Sequence, residues 1–305
     1  MVLINTHRDC EITYENRQFL ALGNAYPTEE LAIKAIDEKK NRDEEHSKRL
    51  KKEEEDKQRL SNPFKIVLAQ PDYLIKPIQN IKDLVNEVRI KITKDKLTIV
   101  DLDPANVAMV IFELYSSSAV EWDCKNPADI SINVGRFHQM LKECDKNDIL
   151  IFQRKDGEKN ATLQFKGSLD IKFSIPFYDL EDRRDNKIPD LKFSSKSLLK
   201  MKDFKKIISF ADSISETMRI EVDNGLVIFT AIDGDNIFSC SIAKDEKKEK
   251  SNSKMSIEYL KKFPCQFFEM VTIENGKDFP LKVSMEMEDR LSLSYILAPR
   301  VDNGE

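Results

Sequence analysis

Glycine is scarce in this sequence, with eight residues in a chain of 305. The glycine patterns that hold phosphate groups or present a nucleophilic serine are all missing: GxxxxGK followed by Ser or Thr, GxGxxG, and GxSxG. The three histidines, His7, His46 and His138, lie in unrelated contexts, and no HExxH pattern occurs. The sequence therefore predicts no catalytic residues, no metal and no cofactor.

Cysteines are few, and so are long apolar runs. No CxxC spacing occurs among the five cysteines Cys10, Cys124, Cys144, Cys240 and Cys265. An odd and scattered set favours a reducing compartment over a disulfide framework or a zinc site. No apolar run approaches the roughly 20 residues that span a bilayer, and the start "MVLINTHRDCEITY" lacks the pattern of a signal peptide. We expect an intracellular protein with no membrane partner.

Glycine and proline are also missing from about thirty highly charged residues that precede residue 63. This segment, "EELAIKAIDEKKNRDEEHSKRLKKEEEDKQRL", repeatedly places an acid four residues before a base, as in Glu44 and Lys48, which supports an exposed helix. Thr28 is its predicted N-cap. The preceding "CEITYENRQFLALGNAY" predicts a small hairpin. We interpret residues 1–62 as an N-terminal extension, a charged helical arm.

After residue 63, one order of elements occurs twice. The segment "KPIQNIKDLVNEVRIKITKDKLTIVDLDPANVAMVIFEL" reads as an amphipathic helix, a strand, a turn and two more strands. The later segment "KKIISFADSISETMRIEVDNGLVIFTAIDGDNIFSCSIA" has the same order, with "DNG" favouring a two-residue hairpin. A second helix follows in each half, in "GRFHQMLKECDK" and "SIEYLKKF". The pattern predicts an α+β fold of two similar tandem domains, each with two helices against antiparallel strands.

Basic residues recur on all four predicted helices, although the net charge of the chain is −5. They are Lys76, Lys82, Arg136, Lys142, Lys146, Lys205, Lys206, Lys261 and Lys262. No aromatic residues are interleaved with them, so contact with a duplex backbone is favoured over base stacking. Lysines are also common on the solvent-exposed face of any helix, and these residues alone favour that interpretation. If they do face a polyanion, double-stranded DNA bound without sequence readout fits best, and the resemblance described next implies that role.

From about residue 64 to 305 the chain resembles the sliding clamps of the proliferating-cell-nuclear-antigen family. The similarity lies in "KDLVNE", "DLDPANVAMVIFEL", "MLKECDKNDIL", "NKIPDLKF", "DFPLKVSMEME" and "LSYILAPRVDNGE", in family order. The resemblance implies clamp domain 1 at 63–177, an interdomain connecting linker at 178–190, and clamp domain 2 with a C-terminal tail at 191–305. It also implies a closed homotrimeric ring, with antiparallel sheets outside and helices lining a hole for DNA.

The resemblance further implies the partners and their contact residues. Clamps are processivity factors rather than enzymes; they are opened by a clamp loader and tether DNA polymerase and other proteins that carry a clamp-binding motif. The implied peptide pocket comprises Leu102, Val107, Ile188, Pro189, Pro280, Leu297, Ala298 and Pro299. The implied subunit interface comprises Ile171, Phe173, Ile175, Ile237, Ser239 and Ser241, on two edge strands that pair between subunits. The implied location is on DNA, in the nucleoid or cytoplasm, or in a nucleus.

Four features depart from the family pattern. Arg183 and Arg184 make the linker more charged than usual, and the N-terminal arm has no counterpart in an ordinary member. Pro77 falls within the first helix, where we expect it to truncate the helix or occupy its first turn. The proline of "KKFPC" is expected to end the last helix early.

Other hypotheses fit parts of the sequence. The chain could be one subunit of a heteromeric or checkpoint-type clamp. Asp101 and Asp103 in "VDLDP" alternate as in some two-metal sites, which would suit a metal-dependent DNA-processing enzyme. A third hypothesis is an interaction module whose active element is the charged arm.

Overall fold

The computed structural model describes residues 2–8, 10–15, 18–176, 186–223, 225–243 and 250–300. The chain divides into two compact units, Met1–Arg59 and Leu60–Glu305. The charged part of the predicted linker, with Arg183 and Arg184, and the tail after residue 300 lie outside the described residues. Within the described ranges, no helix is long and apolar enough to cross a membrane.

The first unit is a small antiparallel sheet with one long helix. Its elements are β1 (Val2–His7), β2 (Cys10–Glu15), β3 (Gln18–Ala21), β4 (Asn24–Tyr26) and α1 (Glu29–Arg59). The strands pair in sequence order, so the predicted hairpin is part of a four-stranded sheet. Ile12 and Ala21 on the sheet are buried with Ala32 and Ile36 on α1. The Thr28 hydroxyl accepts a hydrogen bond from the Leu31 backbone N–H at 3.3 Å, which confirms the predicted N-cap.

The second unit contains two similar halves. The first half comprises β5 (Phe64–Leu68), α2 (Asp72–Ile81), β6 (Glu87–Ile92), β7 (Lys96–Leu102), β8 (Ala108–Tyr115), β9 (Glu121–Asp123), β10 (Ala128–Asn133), α3 (Val134–Leu141), β11 (Ile149–Arg154), β12 (Ala161–Lys166) and β13 (Asp170–Ile175). The second half comprises β14 (Ser195–Lys200), α4 (Met201–Asp212), β15 (Thr217–Asp223), β16 (Leu226–Asp233), β17 (Asn236–Ala243), β18 (Ser251–Ser256), α5 (Ile257–Leu260), β19 (Met270–Asn275), β20 (Leu281–Met287) and β21 (Leu291–Leu297).

Strand registers show that the halves correspond residue by residue. Ile90 pairs with Ile99 between β6 and β7, and Ile220 pairs with Phe229 between β15 and β16. The residues before α3 and α5, Asn133 and Ser256, are both helix N-caps. The α+β fold with an internal duplication, predicted from the two sequence segments, is therefore confirmed.

The two halves join through one continuous eight-stranded sheet, in the order β10-β6-β7-β8-β21-β20-β19-β14. At the junction β8 pairs antiparallel with β21, from Ala108 opposite Leu297 to Leu114 opposite Leu291. The other two sheets have the orders β13-β12-β11-β5-β9 and β17-β16-β15-β18. One buried hydrophobic core lies beneath all three sheets.

Helix α2 runs through Pro77, so the prediction of truncation there was wrong. The helix begins at Asp72, which places Pro77 in its second turn. Proline removes one intrahelical hydrogen bond, the one to the carbonyl of Tyr73. The Pro77 ring is buried, as are its neighbours Leu74 and Ile78, and burial of apolar surface offsets that loss.

Lysines lie at the ends of three short helices. Helix α3 ends earlier than predicted, whereas the early end expected for the last helix is confirmed. α3 ends at Leu141 and α5 has four residues, so Lys82, Lys142 and Lys261 are the C-caps of α2, α3 and α5. Lys146 and Lys262 lie beyond the helices. Cations at these positions complement the negative end of the helix dipole, which gives them a local role beside any role in binding.

Candidate functional site

The four short helices of the second unit form a row, α3-α2-α5-α4. Helix α2 packs against α3, and α4 packs against α5. The Asn80 side-chain amide on α2 donates to the backbone carbonyl of Lys262, which follows the C-cap of α5. Lys261 forms an ion pair of 2.7 Å with Asp212 at the end of α4. The helices therefore present one common surface.

The predicted DNA-facing cations lie along this row. Exposed members are Arg136, Lys142, Lys146, Lys205, Lys206 and Lys261, whereas Lys76, Lys82 and Lys262 are half-buried. Lys76 and Lys205 line one cleft of about 620 Å³, together with Phe267. Burial lowers the pKa of His138, and the nearby charges of Lys82, Lys142 and Lys76 lower it further. The lysines of the first two helices thus lie near His138, while the Asp83 carboxylate opposes them by raising its pKa.

Carboxylates compensate part of this charge. The pairs are Lys76–Asp72 at 3.8 Å, Lys82–Asp83 at 3.2 Å, Lys142–Glu143 at 3.6 Å, Lys261–Asp212 at 2.7 Å and Lys262–Glu258 at 3.7 Å. On α4, Lys206 instead lies over the ring of Phe210, 5.6 Å from its centre. Sequence reasoning missed the exposed Lys202 in the first turn of α4, which the three-residue spacing to Lys205 could have indicated. Helix α4 therefore carries the most exposed basic surface of the row.

A small apolar cluster lies on the opposite face of the eight-stranded sheet. Met109, Ile111 and Ile296 form its buried part, and Val100, Leu102 and Leu191 pack at its margin. Register explains the arrangement, because Leu102 pairs with Met109 and Met109 pairs with Ile296 across three strands. Leu191 belongs to the segment that connects the halves, so this cluster lies beneath the connection.

The structure places the predicted pocket residues unequally around this cluster. Ile188 and Pro189 are exposed and line a cleft of about 790 Å³ with Ile111 and Ile296. Leu297 has no exposed surface and belongs to the main core. Successive side chains of a strand point to opposite faces, and Ile296 takes the outward position instead.

The remaining pocket residues lie where β21 leaves the sheet. The Ala298 N–H donates to the Val107 carbonyl at 2.9 Å, which extends the ladder by one bond. Pro299 has no N–H to continue it, and the Arg300 N–H bonds to the Lys254 carbonyl at 2.8 Å. Ala298 is exposed, while Val107, Pro280 and Pro299 are half-buried. The proline thus ends the pairing of this segment with the loop before β8, and the chain continues to a contact with β18.

Asp101 and Asp103 are buried, and their recorded hydrogen bonds hold neighbouring segments in place. The Asp101 carboxylate accepts from the Leu102 N–H at 2.9 Å and from the Asn186 side chain at 3.0 Å. Asp103 accepts from the N–H groups of Ala105, Val107 and Ala108 and from the Tyr259 hydroxyl. Burial alone would raise the pKa of Asp103, but these hydrogen bonds together lower it.

These hydrogen bonds bear on the hypothesis of a metal site. In the part of the chain that the structure describes, no group of three or more His, Cys, Asp or Glu residues could hold a metal ion. The Asp103 oxygens already accept four hydrogen bonds, which leaves little capacity for a cation. The arrangement of these two aspartates is structural.

Both predicted interface strands lie at sheet edges. β13 ends the five-stranded sheet and β17 ends the four-stranded sheet. On β13, Ile175 is buried while Ile171 and Phe173 are half-buried; on β17, Ile237, Ser239 and Ser241 are exposed. Ile237 is 66% exposed, and Phe210 on the adjacent α4 is 49% exposed. Beside β13, a hollow of about 530 Å³ is lined by Phe137, Met140, Phe173, Ile175 and Arg136, among others.

Comparison with known proteins gives the class to which this fold belongs. Crystal structures of PCNA from Thermococcus kodakaraensis and from Entamoeba histolytica match it with TM-scores of 0.72 and 0.73, at 21% and 16% identity. Each match covers 78% of this chain and 100% or 99% of the solved chain. The fold is therefore that of two tandem clamp domains.

Sequence comparison extends the match to the family. The family model for the proliferating cell nuclear antigen N-terminal domain matches residues 64–182. A DNA polymerase sliding clamp of Methanosarcina mazei is 26% identical over 234 residues, covering 74% of this chain and 94% of the relative. One from Thermococcus gammatolerans is 25% identical over 249 residues, covering 79% and 99%. These matches make the chain similar, over most of its length, to the sliding clamps of the proliferating cell nuclear antigen family.

Proposed function

We propose that this protein is a DNA sliding clamp, a ring of three copies that encircles duplex DNA and tethers a DNA polymerase. The observation that carries the proposal is the junction of β8 with β21, which joins two corresponding halves within one chain. The strands that correspond to β8 and β21 are β17 and β13, and each of these two lies at an open edge of its sheet. Repeating the same junction between copies joins them head to tail, and a closed cycle of such contacts leaves neither of these two edges exposed.

The internal register predicts which residues would pair between copies. Tyr295 lies opposite Val110 and Leu293 lies opposite Phe112 within the chain. By this correspondence of strands, Phe173 would lie opposite Phe238, and Ile171 would lie opposite Cys240, of the next copy. The exposed Phe210, whose ring lies 5.9 Å from that of Phe238, would enter the hollow beside β13. Apolar side chains that are exposed in one copy would thereby become buried.

The helix row is proposed to line the hole and face DNA. Lysines and arginines attract the phosphates over a long range without requiring a fixed register, which permits sliding. Lys205 and Lys206 are the best candidates for this contact, because they are exposed on the helix with the most basic surface. Cations paired with carboxylates would contribute less.

The apolar cluster beneath the connection is proposed to receive partner peptides. Leu102, Ile188, Pro189 and Ile296 would surround an apolar or aromatic anchor, and Ala298 and Pro299 would border it. Buried apolar anchors contribute most of the affinity in such sites. Tethering a polymerase in this way raises its effective concentration at the primer end. A closed ring acts by topology rather than by a chemical step, and it requires a loader to open it.

Retention on DNA tests this function directly. The protein, together with a clamp loader and ATP, would be loaded onto a nicked circular plasmid and separated from free protein by gel filtration. We expect it to remain bound to circular DNA, to leave after linearisation, and to be retained again when both ends are blocked. Equal retention on circular and open linear DNA would contradict topological binding.

A further inference from the structure

A polar contact crosses the junction between the two halves of the chain. Tyr259, the third residue after the N-cap Ser256, donates a hydrogen bond of 2.7 Å from its hydroxyl to Asp103. Asp103 directly follows β7, next to the junction strand β8. The helix of one half is thereby tied to the hairpin end of the other half.

The internal duplication gives the counterpart of each partner. Counting from the N-caps, Arg136 on α3 occupies the position of Tyr259 on α5. Counting from the paired residues of the two hairpins, Asp233 at the end of β16 occupies the position of Asp103. A tyrosine and an aspartate at one junction thus correspond to an arginine and an aspartate elsewhere.

Arg136 and Asp233 lie beside the two open edges. Arg136 lines the hollow next to β13, together with Phe173 and Ile175. Asp233 is exposed at the hairpin between β16 and the edge strand β17. The two residues belong to opposite edges, so they would come together between neighbouring copies.

We propose that Arg136 of one copy forms an ion pair with Asp233 of the next copy and holds the subunit junction in register. This inference rests on the proposed ring and deepens it. Arginine and tyrosine extend a similar distance from the backbone, and the guanidinium fits a carboxylate in a bidentate geometry. The subunit junction therefore uses a charged donor where the internal junction uses a neutral one. As the salt concentration rises, the contact between subunits should weaken more than the contact within the chain. Arg136 serves the subunit junction rather than DNA.

Charge reversal and exchange test this contact. Arg136→Asp and Asp233→Arg would each be compared with wild type by light scattering over a dilution series. Each single change places like charges together, so we expect trimer dissociation at a protein concentration about tenfold higher. Because the midpoint varies as the square root of the monomer–trimer constant, this shift is equivalent to about 2.8 kcal/mol per trimer. The double variant Arg136→Asp with Asp233→Arg restores the pair in reverse and should recover most of that loss, as in a double-mutant cycle.

Two matched controls separate this contact from general charge effects. Lys94→Asp reverses the same charge in the exposed turn between β6 and β7 of the same half, and Asp235→Arg reverses the same charge in the hairpin that contains Asp233. Both should dissociate near the wild-type concentration. The ion pair is overturned if the wild type is trimeric and neither reversal changes the concentration at which the trimer dissociates. It is also overturned if the double variant dissociates at the same concentration as the single variants. Either result leaves the proposed ring intact. A wild-type monomer instead overturns the proposed ring.

Discussion

Ile296 and Leu297 are adjacent in sequence, yet their side chains lie on opposite faces of the eight-stranded sheet. Ile296 belongs to the small cluster with Met109 and Ile111, whereas Leu297 belongs to the main core. The terminal apolar segment therefore serves two purposes, one in folding and one at a candidate binding surface.

Truncating each side chain should separate these roles. Leu297→Ala removes a fully buried side chain and should lower the free energy of unfolding by about 2–5 kcal/mol, measured by urea denaturation. Ile296→Ala should weaken binding of a peptide with an aromatic anchor, measured by fluorescence anisotropy, while the trimer persists. Ile149→Ala, on β11 and 42% exposed, is the control that should leave peptide binding unchanged. Unchanged peptide binding in Ile296→Ala would count against the pocket.

The contact between Tyr259 and Asp103 predicts a dependence of stability on pH at both extremes. The pKa of Asp103 is lowered, so its contribution is present above the unfolded value of about 3.9 and is lost as pH falls through the folded value. The Asp103 hydrogen bond, followed by burial, raises the pKa of Tyr259 to about 12. Its contribution is present below about pH 10 and is lost as pH rises towards 12.

Two conservative variants measure this dependence. Asp103→Asn should be less stable than wild type at pH 7, and the difference should shrink below pH 4, near the unfolded pKa. Tyr259→Phe should lose about 1–2 kcal/mol at pH 7 and should lack one late-titrating phenol, followed by ultraviolet absorbance. Tyr73→Phe serves as the control hydroxyl. A constant difference between wild type and Asp103→Asn from pH 7 to pH 3 would contradict the assigned role.

Lysines with and without close carboxylates should differ in their effect on DNA. Replacing Lys205 and Lys206 with alanine should weaken DNA binding and reduce the slope of log affinity against log salt by about 1 for each lysine that contacts phosphate. Lys261→Ala should have a smaller effect, because Asp212 lies 2.7 Å from its ammonium group. Equal losses from Lys205→Ala and Lys261→Ala would show that these ion pairs do not decide which lysine contacts DNA.

The transferred register predicts a specific cross-link between copies. Ile171→Cys places a thiol opposite the native Cys240 of the next copy, so mild oxidation or a short bis-maleimide should yield covalent dimers and trimers. Lys172→Cys lies on the other face of β13 and should cross-link poorly. Adding Cys240→Ser to Ile171→Cys should abolish the product. Cross-linking that persists without Cys240 would place the strands in a different register.

The repeated order of strands could be predicted because alternating apolar residues define buried faces independently of their neighbours. Which side chains of "YILAP" point to each face of the sheet could not be predicted, since three consecutive apolar residues fit either face. Pairing of Leu297 with Ala108 settles it, and that pairing joins residues nearly two hundred positions apart. The end of α3 was also missed, because Lys142 continues a helical pattern while serving as its C-cap.

The role proposed for Arg136 is likewise one that the sequence alone could not predict. From sequence it is one more cation on a helix. Its correspondence with Tyr259 appears only when strand registers and N-caps are compared between the halves. Contacts between copies are therefore more readily inferred from the internal junction than from residue type.

The absolute mass in solution tests the central claim most directly. Size-exclusion chromatography with light scattering at micromolar concentration should give about 106 kDa, the mass of three copies of 35.3 kDa in a closed ring. A mass of one copy across all concentrations would contradict ring closure by this chain alone. Masses that increase steadily with concentration would indicate open chains of head-to-tail contacts and would contradict it equally.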